Sequence, residues 1–229
     1  MIKEKKRASE SAKQWVYRTL RDQVMCGAVE PGLPITINGV AESLKVSAMP
    51  VREALHRLVA DGALEYMDNR RVRVPDMTPV KFDEIIATRI ALETLAAERA
   101  LPHIETARID MLQAIDKQLE EAYDAGDFQG ATRLNIAFHR CIFEVNSGFV
   151  LLSLLDSIWV RLGPFMRAAT ANLAESYRVD RHAEAIAAIR DKDIEALKIA
   201  ITADIQDGIG HLGRHFFLDK AKAQSIEKQ

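Results

Sequence analysis

The chain is poor in cysteine, has no long uncharged apolar run and carries almost no net charge. Each shortage removes a class of protein. Cys26 and Cys141 are the only cysteines, far apart and without a CxxC pair. This argues against a disulfide scaffold or a thiolate zinc site and fits a reducing compartment. No apolar stretch approaches the roughly 18 uncharged residues of a spanning helix, so no membrane partner is expected. The opening MIKEKKRASESAKQW is charged and lacks the apolar core of a signal peptide, which points to the cytoplasm. Internal repeats and low-complexity tracts are absent. A reactive Ser or Cys motif is absent as well, which weakens the case for an enzyme.

What is present is ample apolar material, 48% of 229 residues, enough for two cores. The net charge of −2 divides unevenly: residues 1–76 carry 13 Lys+Arg against 10 Asp+Glu, and residues 77–229 carry 18 against 23. A slightly basic front suits a polyanion better than the acidic remainder does. Helical spacing of Val16, Leu20 and Val24 marks a first helix closed by Gly27. A turn at Pro31-Gly32 follows, then a short helix with Val40, Ala41 and Leu44 inward. Beyond Thr78 nearly everything is amphipathic helix, in segments near 79–100, 105–125, 127–145, 148–170, 172–190 and 193–217. Asp127 and Asp193 open two of them. The expected fold is mainly α: three helices and a small β-hairpin over residues 1–76, then an all-helical bundle of about six helices over 77–229.

The stretch VSAMPVREALHRLVADGALEY carries the most information. Ser47 is placed to cap a helix, and Pro50 is tolerated in its first turn. At helical spacing Val51, Leu55, Leu58 and Val59 share one arc, and Met49, Arg52, Glu53 and His56 the other. The outer face therefore offers unpaired N–H groups, a positive dipole end and an arginine that can fork onto guanine, as a recognition helix does in a major groove. The hairpin after it places Arg70 at the turn and Arg71 and Arg73 on one face, like a basic wing. The plain alternative is a small helical domain with a solvated polar face.

The segment PGLPITINGVAESLKVSAMPVREALHRLVADGALEY resembles the winged helix-turn-helix of the GntR superfamily of bacterial transcription regulators, over roughly residues 12–75. The resemblance implies that Ser47, Met49, Pro50 and Arg52 lie at the DNA and that the wing tip near Asp68–Arg71 reaches the minor groove or backbone. Many members have arginine where this chain has Ala48. That shifts the burden to Arg52, Arg57 and the wing arginines Arg70 and Arg71.

The second half resembles the FCD ligand-sensing domain of the FadR-type branch, through IIATRIALETLAAERA, LNIAFHRCIFEVNSG, LLSLLDSIWVRL and RHAEAIAAIRDKDIEALKIAI. Asn135 and His139 are one turn apart and project together. The resemblance adds His182 and Asp204, the latter where a histidine is usual. It implies a divalent cation (zinc, nickel or manganese) held by Asn135, His139, His182 and Asp204. A metal-free cavity lined by the same groups is the alternative. His211 and His215 form a second pair by spacing alone. The resemblance also implies that Arg89 holds an effector carboxylate, with Arg161 a lesser candidate; an ion pair from Arg89 to Glu93 competes with that role. The expected function is a homodimeric, ligand-responsive regulator, a repressor or activator, on a double-stranded operator, tuned by a small organic acid, a metal or both. The rival readings are a metal-dependent all-α enzyme with an added helix-turn-helix, and an interaction module that binds protein instead of DNA.

Overall fold

The computed structural model describes residues 6–7, 9–68, 71–146, 148–172, 181–210 and 213. Its contacts divide the chain into two units: Met1–Asp76 with Trp159–Phe165, and Met77–Ile158 with Met166–Gln229.

The first unit holds α1 (Ala12–Met25), α2 (Ile37–Leu44), α3 (Ala48–Ala60) and a two-stranded hairpin, β1 (Glu65–Tyr66) and β2 (Val72–Arg73). Ser11 and Gln14 close a reciprocal capping box at the start of α1. The Thr36 hydroxyl accepts the Gly39 N–H at the start of α2. Lys45, in the left-handed region at φ 58°, turns the chain between α2 and α3. The core is the expected one: Val16, Leu20 and Val24 from α1, Val40, Ala41 and Leu44 from α2, and Val51, Ala54, Leu55 and Leu58 from α3 are all buried. The strands pair antiparallel, Glu65 with Arg73 and Tyr66 with Val72, and Ile35 adds a bridge to Val72.

The second unit is helical: α4 (Pro79–Ala100), α5 (Thr106–Asp124), α6 (Phe128–Phe143), the parts of α7 (Phe149–Asn172) outside 159–165, α8 (His182–Asp191) and α9 (Ile194–Ile205). Asp127 and Asp193 cap α6 and α9 by accepting the N–H groups of Gly130 and Ala196. Two expected boundaries move. The described part of α8 begins at His182, residues 173–180 lying outside the described set, and α9 ends at Ile205, the expected run past Gly210 to 217 falling mostly outside the described residues. It gives way to a π-type turn, Gln206–Gly210, in which Gly208 leaves helical geometry at ψ −110°. The packed side of α4 runs through Phe82, Ile86, Arg89, Glu93, Ala96, Ala97 and Ala100. One stretch, Phe149–Arg167 in α7, is long and apolar enough to cross a membrane by length and composition. Half of it is covered by protein, as in a core helix, and Asp156 and Arg161 interrupt it.

Candidate functional site

On α3 the inward arc pins the helix to its unit and leaves Met49, Arg52, Glu53, His56 and Arg57 exposed. Ser47 occupies the cap position in extended geometry, but its hydroxyl makes no capping hydrogen bond. The hydroxyl and the first-turn N–H groups therefore remain available to an outside acceptor. Arg52 takes part in no ion pair among the described residues. Glu53 is fastened to Lys13 of α1 at 2.7 Å.

Two residues expected at DNA stand elsewhere. Pro50 is buried, because it lies about 200° around the helix from Arg52. Its ring shapes the first turn and offers no contact surface. Arg57 lies about 140° from Arg52, and its guanidinium sits 3.9 Å above the Tyr17 ring, against α1. In the hairpin Arg71 is half-buried. Arg73 is held across the strands by Glu65 at 2.7 Å and by Asp76 at 3.4 Å. Arg70 lies outside the described residues.

The second unit contains a buried ionic cluster. Asn135 and His139 on α6, His182 at the start of α8 and Asp204 on α9 come together as their spacing and the resemblance imply. One ligand atom each from His139, His182 and Asp204 lies within 4.8 Å of the others. His139 Nε2 is 3.0 Å from Asp204 Oδ2, and His182 Nε2 is 3.8 Å from Asp204 Oδ1. The Asn135 amide is 3.5 Å from His182 Nε2, and rotation of that amide presents its oxygen instead. The far side of each ring faces a carboxylate. His139 Nδ1 lies 2.9 Å from Glu93 Oε2, and His182 Nδ1 lies 2.7 Å from Asp116 Oδ1. The Phe138 ring stacks on His182 at 3.7 Å and fixes its plane. The Arg181 backbone N–H donates to Asp204 Oδ1 at 3.2 Å.

This arrangement fits a divalent cation. The Asp116 carboxylate on His182 Nδ1 sets the tautomer that leaves its Nε2 lone pair toward Asp204, and Glu93 lies beside His139 Nδ1 as a counter-charge while its Nε2 also turns to Asp204. Without a cation the same groups neutralise one another. Burial opposes charge on His139, but Glu93 and Asp204 outweigh it and push its imidazole up to about 9. Burial likewise opposes the Glu93 carboxylate, and Arg89 and His139 outweigh it and hold that group well below the usual carboxylate range. Asp204 is lowered as well, chiefly by His139 against the burial effect.

Arg89 is 1% exposed and donates from Nε to Glu93 at 2.7 Å, so it takes the ion-pair alternative. Arg161 stands outside this cluster. It belongs to the first unit, where its Nε donates to the Asp61 carbonyl at 2.9 Å. That contact corrects its expected place beside an effector. His211 and His215 lie outside the described residues. Asp116, Arg181 and Phe138 are the partners that sequence reading misses. The spacing of Arg89 to Glu93 exposes that pair, whereas nothing local announces Asp116, 66 residues from His182.

Two family models match this chain. Residues 12–74 match "Bacterial regulatory proteins, gntR family", and residues 84–207 match "FCD domain". The chain is 28% identical to the HTH-type transcriptional regulator McbR of Escherichia coli K12 over 206 residues, covering 88% of this chain and 92% of that protein. It is 27% identical to the gluconate operon transcriptional repressor of Bacillus subtilis 168, over 76% of this chain and 74% of the repressor. Among solved structures, E. coli McbR/YncC superposes with a TM-score of 0.81 at 27% identity, over 90% of this chain and 99% of the other.

Proposed function

We propose that this chain, which belongs to the gntR family of bacterial regulatory proteins and carries an FCD domain, is a DNA-binding transcriptional regulator whose operator affinity is set by a divalent cation and a small organic acid in the bundle. The DNA-binding and regulatory role follows from the family, and the enzyme reading is set aside with it. The cation and the acid are our reading. One observation carries it: both histidines are backed by carboxylates on Nδ1, and their Nε2 atoms converge on Asp204.

Asn135, His139, His182 and Asp204 would hold the cation, and when bound it would offer a Lewis-acid point for an organic carboxylate. Glu93 orients His139, with Arg89 holding Glu93 in turn. Asp116 and Phe138 orient His182, and the Arg181 N–H fixes Asp204. These contacts tie α4, α5, α6, α8 and α9 to one point, so an occupant that favours one spacing of these helices biases the whole unit. The shift in operator affinity cannot exceed the occupant's differential affinity for the two arrangements. Ser47, Met49, Arg52 and, from the wing, Arg70 and Arg71 are assigned to the operator, Arg73 being held by Glu65 and Asp76, and a homodimer on a pseudo-palindrome supplies two such faces.

The test is the metal content of purified protein by elemental analysis, with His139→Ala, His182→Ala and the double variant. Stoichiometric cation in the parent and its loss in the double variant support the assignment. Full occupancy in the double variant refutes it.

A further inference from the structure

The start of α3 presents an apolar surface where a recognition helix usually presents charge. Met49 is 59% exposed. Ala48, half-buried, lies one turn before Arg52 and about 40° from it around the axis. Met49 is about 60° from Arg52 and about 20° from His56, so these four residues form one continuous face. Glu53, the acid next to this face, is paired with Lys13 of α1. The Ser47 hydroxyl and the first-turn N–H groups border the patch and suit the phosphate backbone.

We infer that Met49, with the Ala48 methyl behind it, reads thymine by apolar contact with the 5-methyl group in the major groove of the operator. The inference rests on the assignment of α3 to DNA. In that groove the thymine methyl is the one apolar feature of the base edges, and small or flexible apolar side chains recognise it. Methionine suits the task because its unbranched, polarisable chain adapts to the methyl's position. Arg52 beside it has the fork that guanine O6 and N7 accept. The half-site read by α3 then contains thymine next to, or one step from, guanine. An arginine in place of Ala48 would read a second guanine instead, so this chain's operators differ there from those of relatives with that arginine.

The experiment enriches duplexes from a random library with the full-length protein, then replaces each thymine of the selected half-site with deoxyuridine, which removes only the 5-methyl. Binding is measured by titration for the parent, Met49→Ala and Met49→Leu. The expected result is a loss of about fourfold per contacted methyl in the parent, the factor given by burying one methylene-sized group. Met49→Ala abolishes that response at one thymine or more, Met49→Leu keeps it, and Arg52→Ala leaves it in place while weakening all sites. A half-site in which no thymine swap weakens binding overturns the inference. So does a response unchanged in Met49→Ala. Failure to enrich any duplex refutes the DNA-binding reading and this inference with it, and that outcome is distinguishable because it arises before any base is altered.

Discussion

If the bundle takes a cation as proposed, that cation would compete with a proton on His139, and the competition has a calculable size. In the metal-free cluster the His139 imidazole titrates at about 9 because Glu93 and Asp204 flank it on both ring nitrogens. At neutral pH the ring is therefore protonated and cannot offer Nε2 as a ligand. Removing that proton at pH 7 costs about two pH units of free energy, about 3 kcal/mol, or roughly a hundredfold in affinity. Apparent affinity for manganese or nickel should rise about tenfold per pH unit between about pH 7 and pH 9, then level off. Calorimetric titration of metal-free protein, in two buffers of different ionisation enthalpy, reads both quantities. About one proton should be released per cation at neutral pH. An affinity constant across this range, with no proton released, would refute the assignment of His139 as a ligand displaced from an ion pair.

The sign reverses for folding. Because His139 titrates higher in the fold than its ordinary 6.5, its contribution is complete below that value and is lost as pH rises through about 9. Thermal melts of metal-free protein should therefore show a decline worth about 3 kcal/mol over that window, absent in His139→Ala. Arg52→Ala should cost about 1–3 kcal/mol of specific operator binding, and unchanged gel-shift affinity would remove Arg52 from the interface. Gly163→Ala places a Cβ 1.9 Å from the Met25 carbonyl oxygen, so urea denaturation should show a loss of at least about 1–3 kcal/mol despite alanine's better helix propensity. Asp204→His removes a counter-charge from the metal-free cluster, so cation loading should raise the melting temperature more in that variant than in the parent; an equal or smaller rise would contradict the charge argument.

Features governed by neighbours in sequence were open to reading. Asp127 and Asp193 cap their helices because a capping oxygen needs only an N–H three residues on. The inward set of α3 follows from its period. The same period also tells against Pro50 and Arg57, helical residues about 160° and 140° round α3 from Arg52, whereas Ser47 stands before the helix as its cap. Features governed by distant partners were closed. Arg161 lies 100 residues from the Asp61 carbonyl that accepts its hydrogen bond. Asp116 lies on a helix with no motif of its own, and only the packed α5, α6 and α8 bring it to His182. The end of α9 was closed for another reason. Glycines at 208 and 210 lower helix propensity without fixing where the helix stops, and Gly208 settles it by adopting a backbone angle outside the helical range.

Asp204 gives the cluster its character. With a histidine there, as the FCD resemblance implies for many relatives, His139 would keep Glu93 as its carboxylate contact and lose the second. With aspartate, Arg89, Glu93, His139 and Asp204 alternate in sign along a chain of contacts no longer than 3.0 Å. Two positive and two negative groups, all buried, are then balanced without any cation. A buried charge left uncompensated is strongly destabilising, whereas a hydrogen-bonded pair is tolerated. The bundle can therefore stay folded with the site empty, which a structural metal site does not need and a sensor does. On the proposed reading the proton on His139 occupies that resting state, and a cation would enter by exchange with it.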